Sequence, residues 1–173
     1  VDKTATPPQT TLGPFSVPGA DVTPWEDTEL ALRRIHKFQL CTVRRDGRPH
    51  VTPLLAIWAF GAMWFTTGAE EQKAKNLAAN QHCVLTAGTE TLTGTDYVIE
   101  GTATLVTDQS TREAAADAFE ESYGWQITRK EGTWHHLSKA VRSGDAQLYR
   151  VQPTKAFAFT TTSRSAETRY TWT

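Results

Sequence analysis

Basic charge is not in excess in this 173-residue chain: 18 Lys and Arg stand against 19 Asp and Glu, a formal net charge of −1. A dedicated nucleic-acid binder normally carries a basic surplus or a basic stripe, so no nucleic-acid partner is expected. Long apolar runs are missing as well. The longest, Leu54–Phe65, is interrupted by Gly61 and is too short to cross a bilayer. The N-terminal stretch has no charged segment leading into an apolar one, so neither a membrane association nor a signal peptide is expected. Cysteine is scarce: Cys41 and Cys83 sit in separate strand-like runs. Such a pair suits reduced, buried thiols of a cytoplasmic protein better than a disulfide framework.

Several catalytic signatures are absent too. No glycine-rich phosphate loop or dinucleotide fingerprint occurs, and no Cys-x-x-Cys, His-Glu-x-x-His or Gly-x-Ser-x-Gly. His135 and His136 are adjacent, which puts them on different faces of a helix, so no metal site is expected from them. No side-chain constellation for acid–base or nucleophilic catalysis emerges, and no catalytic residue is assigned.

What is present is a domain of ordinary globular composition, 39% hydrophobic and 21% charged. Residues 1–22, with Pro7, Pro8, Pro14 and Pro18, read as an extended or disordered arm; residues 23–173 read as the domain. The arm is either a linker or a strap over a partner subunit. Thr23-Pro24-Trp25-Glu26 reads as a helix start, with Thr23 as cap and Pro24 in the first turn. Phe38, Leu40 and Thr42 then alternate with Gln39, Cys41 and Val43, and Arg45-Asp46-Gly47-Arg48 supplies a hairpin turn. A strand over His50–Trp58, a turn at Phe60-Gly61 and a strand over Met63–Thr67 follow. Helices are expected over 68–80, 111–123 and 134–141, and strands over 82–87, 97–107, 147–151 and 156–160. Many hairpin-ordered strands with few helices predict a mainly β fold, an antiparallel barrel with peripheral helices.

Strand alternation places His50, Thr52 and Leu54 on one face, and Pro53 marks an edge or an opening because it donates no ladder hydrogen bond. Thr66 and Thr67 end the next strand, and Gly68 opens the turn into a helix carrying Lys73 and Lys75. Those lysines diverge by about 200° on an ideal helix. Two readings stand: solvated lysines balanced by Glu70 and Glu71, or convergence on an anion in the crease where strand meets helix. The segment from Tyr123 to His136 is the most aromatic irregular stretch and is a candidate roof over a flat ligand, although core filling or dimer contact is the favoured role for any single tryptophan such as Trp58, Trp64 or Trp134.

Arg48-Pro49-His50-Val51-Thr52-Pro53-Leu54, Trp64-Phe65-Thr66-Thr67-Gly68 and Lys73-Ala74-Lys75-Asn76-Leu77 together resemble the pyridoxamine 5′-phosphate oxidase-like superfamily, in its flavin- and deazaflavin-dependent reductase branch. Tyr97–Ala103 and Tyr149–Phe159 extend the resemblance, which runs from about residue 24 to the end. It implies an FMN-binding-like split β-barrel, homodimeric, with cofactor sites at the subunit interface. It also implies a cofactor phosphate at Thr66, Thr67, Gly68, Lys73 and Lys75, with Asn76 beside them, and a ring lying along His50, Val51, Thr52, Pro53 and Leu54. In the pyridoxamine phosphate oxidases a basic residue ends that strand, whereas Leu55 falls near that position here, a departure that brings the chain closer to the branch resembling users of coenzyme F420. The implied activity is hydride transfer between F420 and a small organic substrate. The alternatives are an FMN-dependent oxidoreductase of the same fold, or a non-catalytic carrier of a flavin, F420 or haem. His82, His135 or His136 are the histidines available as haem ligands. Arg33, Arg34, Lys37, Arg44 and Arg45 are candidates to line an exit groove for the acidic tail of the deazaflavin.

Overall fold

The alternation along Phe38–Val43 builds the first wall of a barrel. A computed structural model of the chain describes residues 6–162 and 165–172, and in it Phe38, Leu40 and Thr42 are buried while Gln39 and Val43 face out. Residues 1–5 of the expected arm lie outside the described residues. The elements in order are β1 (Gln9–Leu12), α1 (Trp25–Arg34), β2 (Phe38–Val43), β3 (Pro49–Leu54), β4 (Ala56–Ala59), β5 (Ala62–Thr67) and α2 (Gln72–Ala79). Then come β6 (His82–Ala87), β7 (Gly94–Leu105), α3 (Gln109–Tyr123), α4 (Trp125–Thr128), α5 (Leu137–Ser143), β8 (Gln147–Thr161) and β9 (Ala166–Thr171).

The nine strands pair antiparallel in the order β1-β9-β8-β7-β6-β2-β3, with β5 also on β8 and β4 on β5. Following the bonds from β3 through β2, β6, β7, β8 and β5 leads back to β4, which Leu55 alone separates from β3. The barrel is thus closed by a bend in the chain. Inside it lie Phe38, Leu40, Met63, Phe65, Leu85, Ile99 and Val151. A second core on the outer side packs Ile57, Trp64 and Leu148 against Ala115, Phe119 and Val141 of α3 and α5. Both faces of β5 are therefore buried, which accounts for its nearly unbroken apolar sequence.

Three local expectations are corrected. The strand expected over His50–Trp58 is two strands, because the chain leaves β2 for β5 at Leu55 and Pro53 has no N–H to extend a ladder. The two strands expected over 147–151 and 156–160 are one, β8. Pro153 stands opposite Gly101 at a register shift, and the Thr154 hydroxyl donates to the Glu100 carbonyl across the irregularity. A Cβ at Gly101 would sit 2.4 Å from the Gln152 carbonyl oxygen, so the close backbone approach there requires glycine. The first helix takes Pro24, not Thr23, as its N-cap; the Thr23 N–H is spent on the Thr168 hydroxyl at 2.9 Å.

The expected turn at Phe60-Gly61 forms with positive φ at both residues, 52° and 67°, as a tight hairpin between twisted strands requires. Cys83 is buried and Cys41 partly covered, both unbonded, and burial together with the nearby Cys41 pushes the Cys83 thiol up to about 12. No helix among the described residues is long and apolar enough to cross a membrane.

Candidate functional site

β4 and β5 are paired from Ala56 opposite Phe65 to Ala59 opposite Ala62. Beyond Ala56 the strands part: Thr52, Pro53 and Leu54 stay with β2, while Thr66 and Thr67 stay with β8. The split opens a cleft of about 490 Å³. One wall is Thr52, Pro53, Leu54 and Leu55; the other is Thr66, Thr67 and Gly68, with Glu71 and Lys73 at the start of α2. Lys37 adds a second cation, and Trp134, Leu137 and Ala146 close the rim.

Seven of the residues expected at the site therefore meet in one place: Thr52, Pro53, Leu54, Thr66, Thr67, Gly68 and Lys73. Four do not line it. Val51 is 56% exposed and does not line the cleft, although it shares a face of β3 with Pro53, which does. Lys75 lines a separate basic cleft with Arg44, Arg45 and Arg48 and pairs with Glu70 at 3.2 Å. Its divergence from Lys73 on the helix is the cause, and the two lysines do not converge. His50 faces Thr42, Nδ1 to Oγ1 at 3.4 Å. Burial, then the positive charges of Arg44 and Lys73, hold its pKa below the ordinary histidine value, so it is neutral near pH 7. Asn76 is buried and internal: its amide donates to the Thr42 hydroxyl at 2.8 Å and its carbonyl accepts from the Gln72 amide at 2.7 Å.

Asn76 thus ties α2 to β2 and fixes the angle at which the helix presents Lys73. Asn76→Ala is expected to cost about 1–3 kcal/mol in urea unfolding, because it removes a buried amide and leaves the Thr42 hydroxyl only its longer contacts to His50, at 3.4 and 3.5 Å.

At the end of β5 the donors cluster. The Gly68 N–H donates to a carboxylate oxygen of Glu71 at 2.8 Å, and the Lys73 ammonium pairs with the other. Lys73 is only 7% exposed, an unusual degree of burial for lysine, and the Glu71 carboxylate supplies its counter-charge. The Thr67 hydroxyl lies at the same corner and donates to the Gly68 carbonyl at 3.2 Å. This donor set fits a phosphate, and the Pro53-Leu54-Leu55 wall with Trp134 at the rim fits a flat ring.

Leu137 and Ala146 were not legible beforehand, since they reach the cleft from a helix and a strand start remote in sequence. Trp134, more than half exposed at the rim, belongs to the aromatic stretch expected to form a roof. Of the basic residues considered for a groove, Lys37 joins this cleft, Arg44 and Arg45 line the Lys75 cleft, and Arg33 and Arg34 lie beside α3. No group of three or more His, Cys, Asp or Glu that could hold a metal ion occurs among the described residues.

Comparison with known proteins gives the same frame. No curated protein matches the sequence. Among solved structures, a conserved hypothetical protein from Mycobacterium tuberculosis aligns with a TM-score of 0.65 at 19% identity, covering 80% of this chain and 86% of that one. An F420 reductase aligns with a TM-score of 0.55 at 24% identity over 74% of this chain and 94% of its own. A FAD-binding protein from Mesorhizobium loti aligns with a TM-score of 0.57 at 15% identity, covering 87% and 96%. At these identities the likeness is one of fold. The family profile described as pyridoxamine 5′-phosphate oxidase matches residues 26–160, a span from α1 to the far end of β8 that includes both walls of the cleft, and the chain belongs to that family.

Proposed function

We propose that the protein is an oxidoreductase that binds coenzyme F420 in the split between β3 and β5 and transfers hydride between it and a small organic substrate. The observation that carries this reading is the buried Lys73 ammonium beside the Gly68 N–H and the Thr67 hydroxyl, at one end of a cleft whose long wall is apolar. Thr66, Thr67, Gly68 and Lys73 would hold the phosphate, and Thr52, Pro53 and Leu54 would carry the ring. The bound ring supplies the hydride chemistry; the residues of the chain orient it and keep water from one face. Leu55 at the strand end, where the pyridoxamine phosphate oxidases have a cation, is the feature that favours the deazaflavin over FMN.

The unpaired edge of β3 and the exposed Val51 on its outer side support a second copy of the chain as the cover of the site. The test is a fluorescence titration of the cofactor-stripped protein with F420 and separately with FMN. Micromolar binding of F420 with weaker FMN binding is expected. The reverse order moves the protein to the flavin branch, and failure of both to bind removes the enzyme reading.

A further inference from the structure

The anion corner of the cleft is already filled from within the chain. Glu71 is the N-cap residue of α2, yet its side chain caps no helix amide. It turns back toward β5, where one oxygen accepts the Gly68 N–H at 2.8 Å and the other takes the Lys73 ammonium. Burial by itself would raise the Glu71 carboxyl; the Lys73 ammonium and the Gly68 N–H outweigh it and hold the group below the usual carboxylate range. The side chain is half exposed, at 52%, while its lysine partner is buried at 8%. The carboxylate can therefore swing into solvent without disturbing the core, and the ammonium cannot follow it.

We infer that Glu71 is a built-in competitor for the phosphate corner: its carboxylate occupies the Gly68–Lys73 donors until a phosphate displaces it, and so sets the affinity for phosphate-bearing ligands. The inference rests on the assignment of Gly68 and Lys73 to a cofactor phosphate. A ligand must replace a charge-assisted pair that the chain already makes, and only a group able to use both donors does so without loss. A phosphate offers oxygens to both donors. A neutral ligand leaves Glu71 where it is and binds along the apolar wall alone. In the ligand-free protein the same contact keeps a buried ammonium from standing unpaired, which is a reason for a carboxylate to be placed there.

The experiment compares two matched pairs of ligands, FMN with riboflavin and F420 with its phosphate-free chromophore. They are titrated by fluorescence into the wild-type chain, Glu71→Gln, Glu71→Ala and Lys73→Ala. Both Glu71 variants are expected to bind the phosphate-bearing member of at least one pair about tenfold more tightly, with the phosphate-free member unchanged. Their ligand-free melting temperature is expected to fall, since Lys73 loses its partner, while the rise on adding the phosphate-bearing ligand grows. Unchanged or weaker phosphate-ligand binding in both Glu71 variants, with Lys73→Ala still loosening it, overturns the competitor and leaves the phosphate corner standing. If no variant separates the members of either pair, the phosphate corner itself fails and the inference falls with it.

Discussion

Lys73→Ala is expected to weaken binding of the phosphate-bearing cofactor by about 1.5–3 kcal/mol, a loss of roughly 10- to 150-fold in Kd. The size follows from the kind of contact removed, a charge-assisted hydrogen bond made by an ammonium that is only 7% exposed. A surface lysine would contribute far less, because water and salt screen it. Lys75 is the internal control. Its side chain is 55% exposed and paired to Glu70 in the other cleft, so Lys75→Ala is expected to leave the affinity for either cofactor within about twofold. Stability should move little in Lys73→Ala, because the carboxylate it abandons is half exposed and rehydrates. Lys73→Met keeps most of the buried volume and separates loss of charge from loss of packing. Titration calorimetry on the three variants decides the matter: equal affinities for Lys73→Ala and the wild-type chain would remove Lys73 from the phosphate site.

The contrast between the two lysines shows which features of the site were legible in the sequence. Helical geometry alone says that residues two apart diverge, and Lys73 and Lys75 do. What spacing could not supply was which of them faces the barrel, because that depends on how Asn76 docks α2 onto Thr42 of β2, 34 residues earlier. The strand wall was readable for the same kind of reason: a period of two with Pro53 at an edge fixes Thr52 and Leu54 to one side. The split at Leu55 was not readable, since it arises when the chain exchanges one hydrogen-bonding neighbour for another, and partners are chosen by the whole barrel. The joining of β8 across Pro153 was missed because a proline reads locally as a strand breaker. The irregularity that accommodates it, at Thr154, depends on Gly101 of β7, some 50 residues away, where the backbones come close. Glu71 is the instructive case. Its charge was visible as a balance for the lysines, but its turn toward Gly68, away from the helix amides of α2, is a property of the folded corner.

Trp64→Ala is expected to cost about 3–5 kcal/mol of stability, the largest effect of any substitution considered. Trp64 is fully buried on the outer side of β5, in the core that also contains Ile57, Phe119, Val141 and Leu148. Its ring meets Phe60 edge to face at 6.2 Å, and its indole N–H donates to the Ala59 carbonyl at 2.8 Å. Truncation therefore opens a cavity and leaves a carbonyl at the β4–β5 hairpin without its donor, and the two losses add. Trp64→Phe retains most of the volume and should cost less, with the difference reporting the hydrogen bond and the remaining volume together. The position matters for function because Trp64 and the phosphate corner share a strand: Thr66 and Thr67 follow it directly after Phe65, and Arg150 and Leu148 of β8 hold that strand in register. Urea unfolding should show the full loss for Trp64→Ala. Cofactor titration at a temperature where the variant remains folded should show a change in Kd below about threefold, since the corner's own donors are untouched. Lys73→Ala is expected to give the opposite pair of results, a large loss of affinity with little loss of stability. A Trp64→Ala chain that unfolds at the wild-type urea midpoint would show that the outer core under α3 and α5 does not hold β5 in place, and the rigid wall on which the site depends would have to be sought inside the barrel.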